Sequence, residues 1–424
     1  MKILIQQVNI LSANSKFNGM CKDVLLENGM IRKIADAGTI KEKCDETIDG
    51  LNKYLSPGLV DLHVNFQEPG NEHKEDLESG CRAAKQGGFT TVLCMPSTNP
   101  PVDSGSLIEF ICNRTQNQLV DVLVAGTISN KQEGKDLSEM FDMHNAGAKV
   151  FTDDKRSVMD AGLMLRALLY SKNFGGKIFS FAHDQSIAQK GQMNEGISST
   201  QLGLKGLPSI AEEIMISRDL ILAEYADAEI HFSTISTKRS VELIRAAKKK
   251  GMRVSADVSA AHISLTDSEL KSFESDFKMM PPLRTLEDVD ALIKGLKDGT
   301  IDAICSDHLP EDVENKKKEF ELAKFGAEGL ETCFAAAYTA LKNHLSNEQI
   351  LDKFTSGPQK ILGLPIMSIE ENAPANLTLL DLRQEWTVER KNIFSKSKNN
   401  PFLTKTLLAK AICVFNRNQF YRIQ

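Results

Sequence analysis

Short apolar runs alternate with amphipathic stretches along most of this chain. The apolar runs have the length of strands, and apolar residues recur at helical spacing between them, as in 75–85, 238–250 and 286–296. Such alternation is typical of βα units and a parallel sheet, and eight strands favour a closed, TIM-type (β/α)8 barrel. The predicted strands are 59–65, 90–95, 120–125, 148–152, 177–182, 229–235, 253–258 and 302–306.

Both ends of the chain depart from this pattern. The first fifty-odd residues read as short strands and turns, with Asn28-Gly29 as a hairpin-turn candidate. The alternation stops after about Asn372, and another β-rich segment runs to the C-terminus. Their similar composition predicts one small composite β domain, residues 1–54 with 373–424, beside a barrel of residues 55–372. Periodicity alone also permits two separate extensions.

Composition and charge narrow the class of protein. The chain has 424 residues, and its formal net charge of −6 comes from interspersed acidic and basic residues. This pattern argues against nucleic acid or an anionic membrane as the main partner. No apolar run approaches the roughly 20 residues that span a bilayer, and no signal-peptide layout follows Met1, so we expect a cytoplasmic location.

Polar and ionisable residues follow several of the predicted strands. In a barrel, functional side chains gather at the C-terminal ends of the strands and on the loops that follow. Together they would suit a metal-activated hydrolase, whereas each taken singly also fits a helix cap or a loop. The candidates are His63 with Asn65, Asp153 with Asp154, His183 with Asp184, the stretch 231–237, and Asp307 with His308.

A series of motifs carries a more specific signal. The motifs are Ser56-Pro57-Gly58-Leu59-Val60-Asp61-Leu62-His63, Glu68-Pro69-Gly70, Gly87-Gly88-Phe89-Thr90-Thr91-Val92, Met95-Pro96, Asn194-Glu195-Gly196, Pro281-Pro282-Leu283-Arg284 and the stretch 302–308. In this order, and over nearly the whole chain, the sequence resembles the bacterial dihydroorotases of the amidohydrolase superfamily. The resemblance implies a TIM-type barrel with a composite β domain, and a reaction that interconverts carbamoyl aspartate and dihydroorotate at a zinc centre.

The resemblance also implies where metal ligands would stand. The leading imidazole of the first strand is His63, the bridging carboxylate matches Asp153, and the last carboxylate, which is also the proton shuttle, matches Asp307. A neutral amide oxygen binds zinc poorly compared with imidazole. The metal and proton-shuttle residues are therefore predicted to be vestigial. The other family imidazoles are replaced at Asn65, Phe181 and Thr234.

The family's substrate contacts are replaced as well. Losing one charge-assisted hydrogen bond costs about 1.5–3 kcal/mol. A glutamate at one of these positions also sets a negative charge where an acidic substrate would bind. The replaced positions are Gln67, Ser97, Met280 and Glu311.

Two nearby histidines are poor substitutes for the missing ligands. His183 lies two residues past Phe181, a displacement of about 6.6 Å along a strand. His231 precedes Thr234 by three residues, which puts it on the opposite face of a regular strand. Only a bulge or an altered register would bring either one into the site.

Three functional hypotheses follow. The preferred one is a dihydroorotase-family homologue that has lost catalysis and acts as a structural or regulatory partner. It carries no cofactor, or at most one weakly bound zinc. By resemblance, its partners would be a second copy of itself and aspartate transcarbamoylase. The alternative is an active cyclic amidohydrolase with a reduced one-metal site at His63, Asp153 and Asp307. A third is a small-molecule sensor whose barrel mouth is made more apolar by Phe181 and Met280.

Overall fold

The computed structural model describes residues 1–423, and strands form its two large sheets. The strands are β1 (Lys2–Ile10), β2 (Cys21–Glu27), β3 (Met30–Asp36), β4 (Glu46–Asp49), β5 (Tyr54–Pro57), β6 (Leu59–Val64), β7 (Phe89–Cys94), β8 (Asp121–Gly126), β9 (Val150–Phe151), β10 (Ile178–Phe181), β11 (Met193–Asn194), β12 (Gly206–Leu207), β13 (Ile230–Ser233), β14 (Val254–Ser259), β15 (Ala303–Cys305), β16 (Leu377–Thr387), β17 (Thr406–Asn416) and β18 (Gln419–Arg422).

Helices connect most of the barrel strands. They are α1 (Leu77–Gln86), α2 (Gly105–Thr115), α3 (Met140–Asn145), α4 (Ala161–Lys172), α5 (Gln185–Ala188), α6 (Ile197–Leu202), α7 (Ile210–Ala226), α8 (Lys238–Lys249), α9 (Leu286–Lys297), α10 (Val313–Lys316), α11 (Cys333–Leu341), α12 (Asn347–Asp352) and α13 (Ser356–Leu362). None of the helices in residues 1–423 is long and apolar enough to cross a membrane.

The barrel is a parallel sheet of eight strands in the order β6, β7, β8, β9, β10, β13, β14, β15. Its first and last strands meet just beyond β15, where Val64 pairs with His308 and the amide of Asn65 donates to the carbonyl of His308 at 2.8 Å. The predicted (β/α)8 barrel is therefore confirmed. The strand predicted at 148–152 is shorter than expected, because only Val150–Phe151 pairs with its neighbours.

Covering helices explain the apolar runs of the sequence. All residues of β6 and β7 are buried, as expected for strands that have side chains packed on both faces. The side chains of Val60, Leu62, Leu93 and Phe179 belong to one buried cluster within the barrel. Burying each such side chain contributes about 1.5–3 kcal/mol, so these runs stabilise the frame that positions the strand ends.

The two ends of the chain share the second large sheet. Its order is β18, β17, β16, β5, β1, β2, β3, with β4 paired to β1. The junction is the antiparallel pair of β5 and β16, in which Leu377 lies opposite Pro57 and Leu380 opposite Tyr54. The predicted β domain beside the barrel is thus confirmed. The pairing of β5 with β16 joins the two ends of the chain in one sheet, so they are not two separate extensions. The domain boundaries at 54/55 and 372/373 stay a prediction.

Candidate active site

The C-terminal ends of the barrel strands, together with the loops that follow them, form the barrel mouth. Buried polar side chains from three strand ends meet there. His63 Nε2 lies 2.8 Å from Asp154 Oδ1 and 3.6 Å from Asp307 Oδ1. The side-chain amide of Asn65 donates to Asp154 Oδ2 at 2.8 Å. We call His63, Asn65, Asp154, Asp307 and the neighbouring Lys155 the mouth cluster.

Backbone conformation helps to direct these side chains. Asp154, Thr234 and Asp307 have φ values of 51°, 51° and 52°, in the left-handed region. Aspartate tolerates this region, but a β-branched threonine is rarely found in it. Such residues persist only where the surroundings hold them, and they cluster at functional sites. Their position beyond three barrel strands marks the mouth as the candidate site.

The structure places the Asp153 carboxylate outside the mouth cluster, so its role as a metal ligand stays a prediction. Its carboxylate accepts hydrogen bonds from the amides of Ile128 at 2.8 Å and Ser129 at 3.0 Å, and from the Ser129 hydroxyl. Burial raises the pKa of Asp153 to about 6. Asp153 therefore anchors the loop after β8, and Asp154 is the carboxylate beside His63. The physical reason is the turn after β9, which directs consecutive side chains to different sides.

Lys155 belongs to the mouth cluster, although the sequence did not single it out. Its ammonium donates to Asp307 Oδ1 at 2.6 Å and to Thr234 Oγ1 at 3.4 Å. It also lies 4.7 Å from the centre of the Phe181 ring. Two of the three predicted replacement positions, Phe181 and Thr234, therefore contact the same ammonium. The available signal was a lysine directly after an acidic pair, in a chain that keeps His63 but has replaced the other family imidazoles.

Electrostatics make His63 and Asp154 an ion pair. Burial and the Lys155 ammonium act to lower the pKa of His63, but the Asp154 and Asp307 carboxylates outweigh them and raise it. Burial acts to raise the pKa of Asp154, yet the adjacent His63 holds it well below its usual range. Both shifts favour a charged imidazolium beside a charged carboxylate. His63 Nδ1 and Asn65 Oδ1 are buried without a hydrogen-bond partner in residues 1–423.

The predicted substrate positions carry their own local contacts. The Ser97 hydroxyl accepts a hydrogen bond from Gln132 at 3.1 Å, and Gln67 is buried with a φ of 63°. Met280 packs against the cluster that contains Ala188, Leu207 and Ala211. Glu311 forms an ion pair with Lys74 at 2.9 Å. The negative charge expected from Glu311 therefore has a positive partner.

The two substitute histidines lie outside the mouth cluster. His231 Nε2 is 2.9 Å from Asp257, its Nδ1 is 2.8 Å from the Ser255 hydroxyl, and its ring packs 4.1 Å from that of Phe179. His183 stands beside Phe181, with 6.0 Å between the ring centres. Burial lowers the pKa of His183. Neither histidine lies beside His63, so neither one takes the place of a replaced metal ligand.

Comparisons with known proteins identify relatives along the whole chain. A family model described as "Dihydro-orotase-like" matches residues 52–240. The dihydroorotase of Ruminiclostridium cellulolyticum is 42% identical over 405 residues, which cover 95% of this chain and 94% of that protein. The dihydroorotase of Caldicellulosiruptor saccharolyticus is 41% identical over 411 residues, covering 96% and 95%.

Solved structures confirm the fold. The L-hydantoinase (dihydropyrimidinase) of Arthrobacter aurescens superimposes with a TM-score of 0.85 over 99% of this chain and 96% of that one. The dihydropyrimidinase of Brevibacillus agri gives a TM-score of 0.83 over 100% and 95%. Their sequence identities are 23% and 20%, so the likeness concerns the architecture alone.

These relatives correct the cofactor expectation. We expected no cofactor, or at most one weakly bound zinc. The chain is 42% identical to a protein named dihydroorotase, and the resemblance to that family implies a reaction at a zinc centre. That expectation is therefore overturned, and zinc is the group that the family implies for this fold.

The side chains of this chain depart from what the family implies. No group of three or more His, Cys, Asp or Glu residues within 1–423 is placed to hold a metal ion. One imidazole and two carboxylates meet in the mouth cluster, but the Lys155 ammonium lies 2.6 Å from one of those carboxylates, Asp307. A cation beside Asp307 opposes a second cation there, so this arrangement does not fit zinc.

Family membership nevertheless rests on the whole chain. The ordered motifs, the barrel with its β domain, and identities of 41–42% over about 95% of the chain agree. This chain belongs to the dihydroorotase family.

Proposed function

We propose that this chain serves the dihydroorotase step of pyrimidine synthesis, the interconversion of carbamoyl aspartate and dihydroorotate, in the cytoplasm. The observation that carries this proposal is the 42% identity over 95% of the chain to a protein named dihydroorotase. Two forms of this function, one catalytic and one non-catalytic, are supported by different observations.

The catalytic form is favoured by the relatives, several of which are named dihydroorotase. Its residues would be His63, Asp154 and Asp307, which meet at the ends of barrel strands, where the reactive groups of such barrels gather. A catalytic zinc site usually uses three protein ligands, the number that this set provides. The set becomes available only when Lys155 leaves Asp307.

The non-catalytic form is favoured by the geometry of the mouth. Lys155 pairs with Asp307, the residue that the resemblance makes the proton shuttle. The family's substrate contacts are replaced at Gln67, Ser97, Met280 and Glu311. In this form the chain keeps the fold with a degenerate site and acts as a structural or regulatory partner.

An activity assay with two matched variants separates the two forms. The purified chain would be given zinc, with or without a chelator, and conversion of dihydroorotate would be followed. In the catalytic form, turnover is lost with chelator and in Asp307→Asn, and is retained in Asp153→Asn, because only Asp307 lies in the mouth cluster. No turnover under any condition would reject the catalytic form.

The partners of the non-catalytic form are a second copy of the chain and aspartate transcarbamoylase, on the strength of the resemblance. We expect native mass measurements to detect a dimer of the chain alone, and a larger complex when aspartate transcarbamoylase is added. A monomer that stays unchanged after the addition would contradict this proposal.

A further inference from the structure

Three side chains around the Lys155 ammonium stand at positions that the resemblance assigns to metal ligands. The Asp307 carboxylate is at 2.6 Å, the Thr234 hydroxyl is at 3.4 Å, and the centre of the Phe181 ring is at 4.7 Å. The two replaced positions and the retained carboxylate thus converge on one positive charge. In the family these positions would surround a metal ion, whereas in this chain the group that they surround is an ammonium.

We propose that Lys155 is a built-in cation of the barrel mouth, held by Asp307, Thr234 and Phe181 in the region where the family holds its metal. An ammonium carries three donors, and the carboxylate and the hydroxyl accept hydrogen bonds from it. The face of a phenylalanine ring attracts a cation, and, unlike an imidazolium, carries no charge that would repel it.

The charges of the mouth cluster require such a cation. Asp154 and Asp307 are almost fully buried, with 1% and 3% of their side chains exposed, and one imidazole lies between them. A buried carboxylate without a partner is strongly destabilising. The Lys155 side chain, itself only 14% exposed, places a positive charge 2.6 Å from the Asp307 carboxylate. Zinc and Lys155 therefore compete for the same carboxylate.

The test compares Lys155→Met with Lys271→Met, the same change at an exposed lysine. Melting temperatures would be measured with chelator and then with zinc, and bound zinc by mass spectrometry. In chelator, we expect Lys155→Met to melt below the wild type, because Asp307 loses its partner. Zinc should raise the melting temperature of Lys155→Met by more than that of the wild type, and Lys271→Met should match the wild type.

Two outcomes would overturn the proposal. One is a Lys155→Met variant that matches the wild type both in chelator and in its response to zinc. If Lys155→Met does not fold, the double variant Lys155→Met/Asp307→Asn, which removes both charges, is expected to fold. A double variant that also fails would reject the ion-pair role.

The inference rests on the proposed function only through the metal positions that the family implies. Its readouts are melting temperature and zinc content, and neither requires turnover. A chain without dihydroorotase activity can therefore still support or reject it.

Discussion

Stoichiometric zinc is the expected result when the missing imidazoles are returned and Lys155 is removed. The variant carries Asn65→His, Phe181→His, Thr234→His and Lys155→Ala. The side chains at the three replaced positions already contact the mouth cluster. Asn65 lies 2.8 Å from Asp154. The Phe181 ring centre and the Thr234 hydroxyl lie 4.7 and 3.4 Å from the Lys155 ammonium. Four imidazoles with two carboxylates form a nitrogen and oxygen set that suits zinc.

The measurement is zinc content after gel filtration in metal-free buffer. The matched control keeps Lys155 and carries only the three histidines, and we expect it to retain less zinc, because the ammonium still pairs with Asp307. Activity of the four-fold variant is a separate question, because the variant does not restore the family's substrate-binding residues. A four-fold variant that binds no more zinc than the wild type would show that these positions do not converge on one metal.

Loss of Arg284 is expected to produce the largest fall in stability. This side chain is 2% exposed, and its guanidinium donates to Ser236 at 3.0 Å and to Asn194 at 2.9 Å. It lies 3.8 Å from the buried carboxylate of Glu212. Arg284→Met would leave that carboxylate without its cation, at a cost of about 3–5 kcal/mol. Urea unfolding of the full chain measures the change.

A double-mutant cycle separates the charge from the packing of the arginine. Glu212→Gln keeps an acceptor for the amides of Ser236 and Thr237, which now donate to Glu212 at 2.8 and 3.1 Å. Arg284→Met should therefore cost less in the Glu212→Gln background than in the wild type. Equal costs in both backgrounds would mean that the ion pair contributes nothing to stability.

Part of the mouth cluster could be named from the sequence, but the contacts of Asp154 and Lys155 could not. His63 and Asp307 were named from strand-end positions and motifs, and both lie in the mouth cluster. Asp153 was chosen over its neighbour because motif matching assigns a position but not the direction of a side chain. Lys155 was overlooked because an isolated lysine usually lies on the surface, and only its contacts show a different role.

The sequence by itself determined the barrel and its β domain, because buried strands and amphipathic helices leave different periodicities in the order of apolar residues. It also determined family membership through ordered motifs. The tertiary structure alone decided that Asp154 faces His63 and that Lys155 pairs with Asp307. These contacts join residues 91 and 152 positions apart, so they depend on how strand ends converge when the barrel closes. No local sequence pattern predicts that convergence.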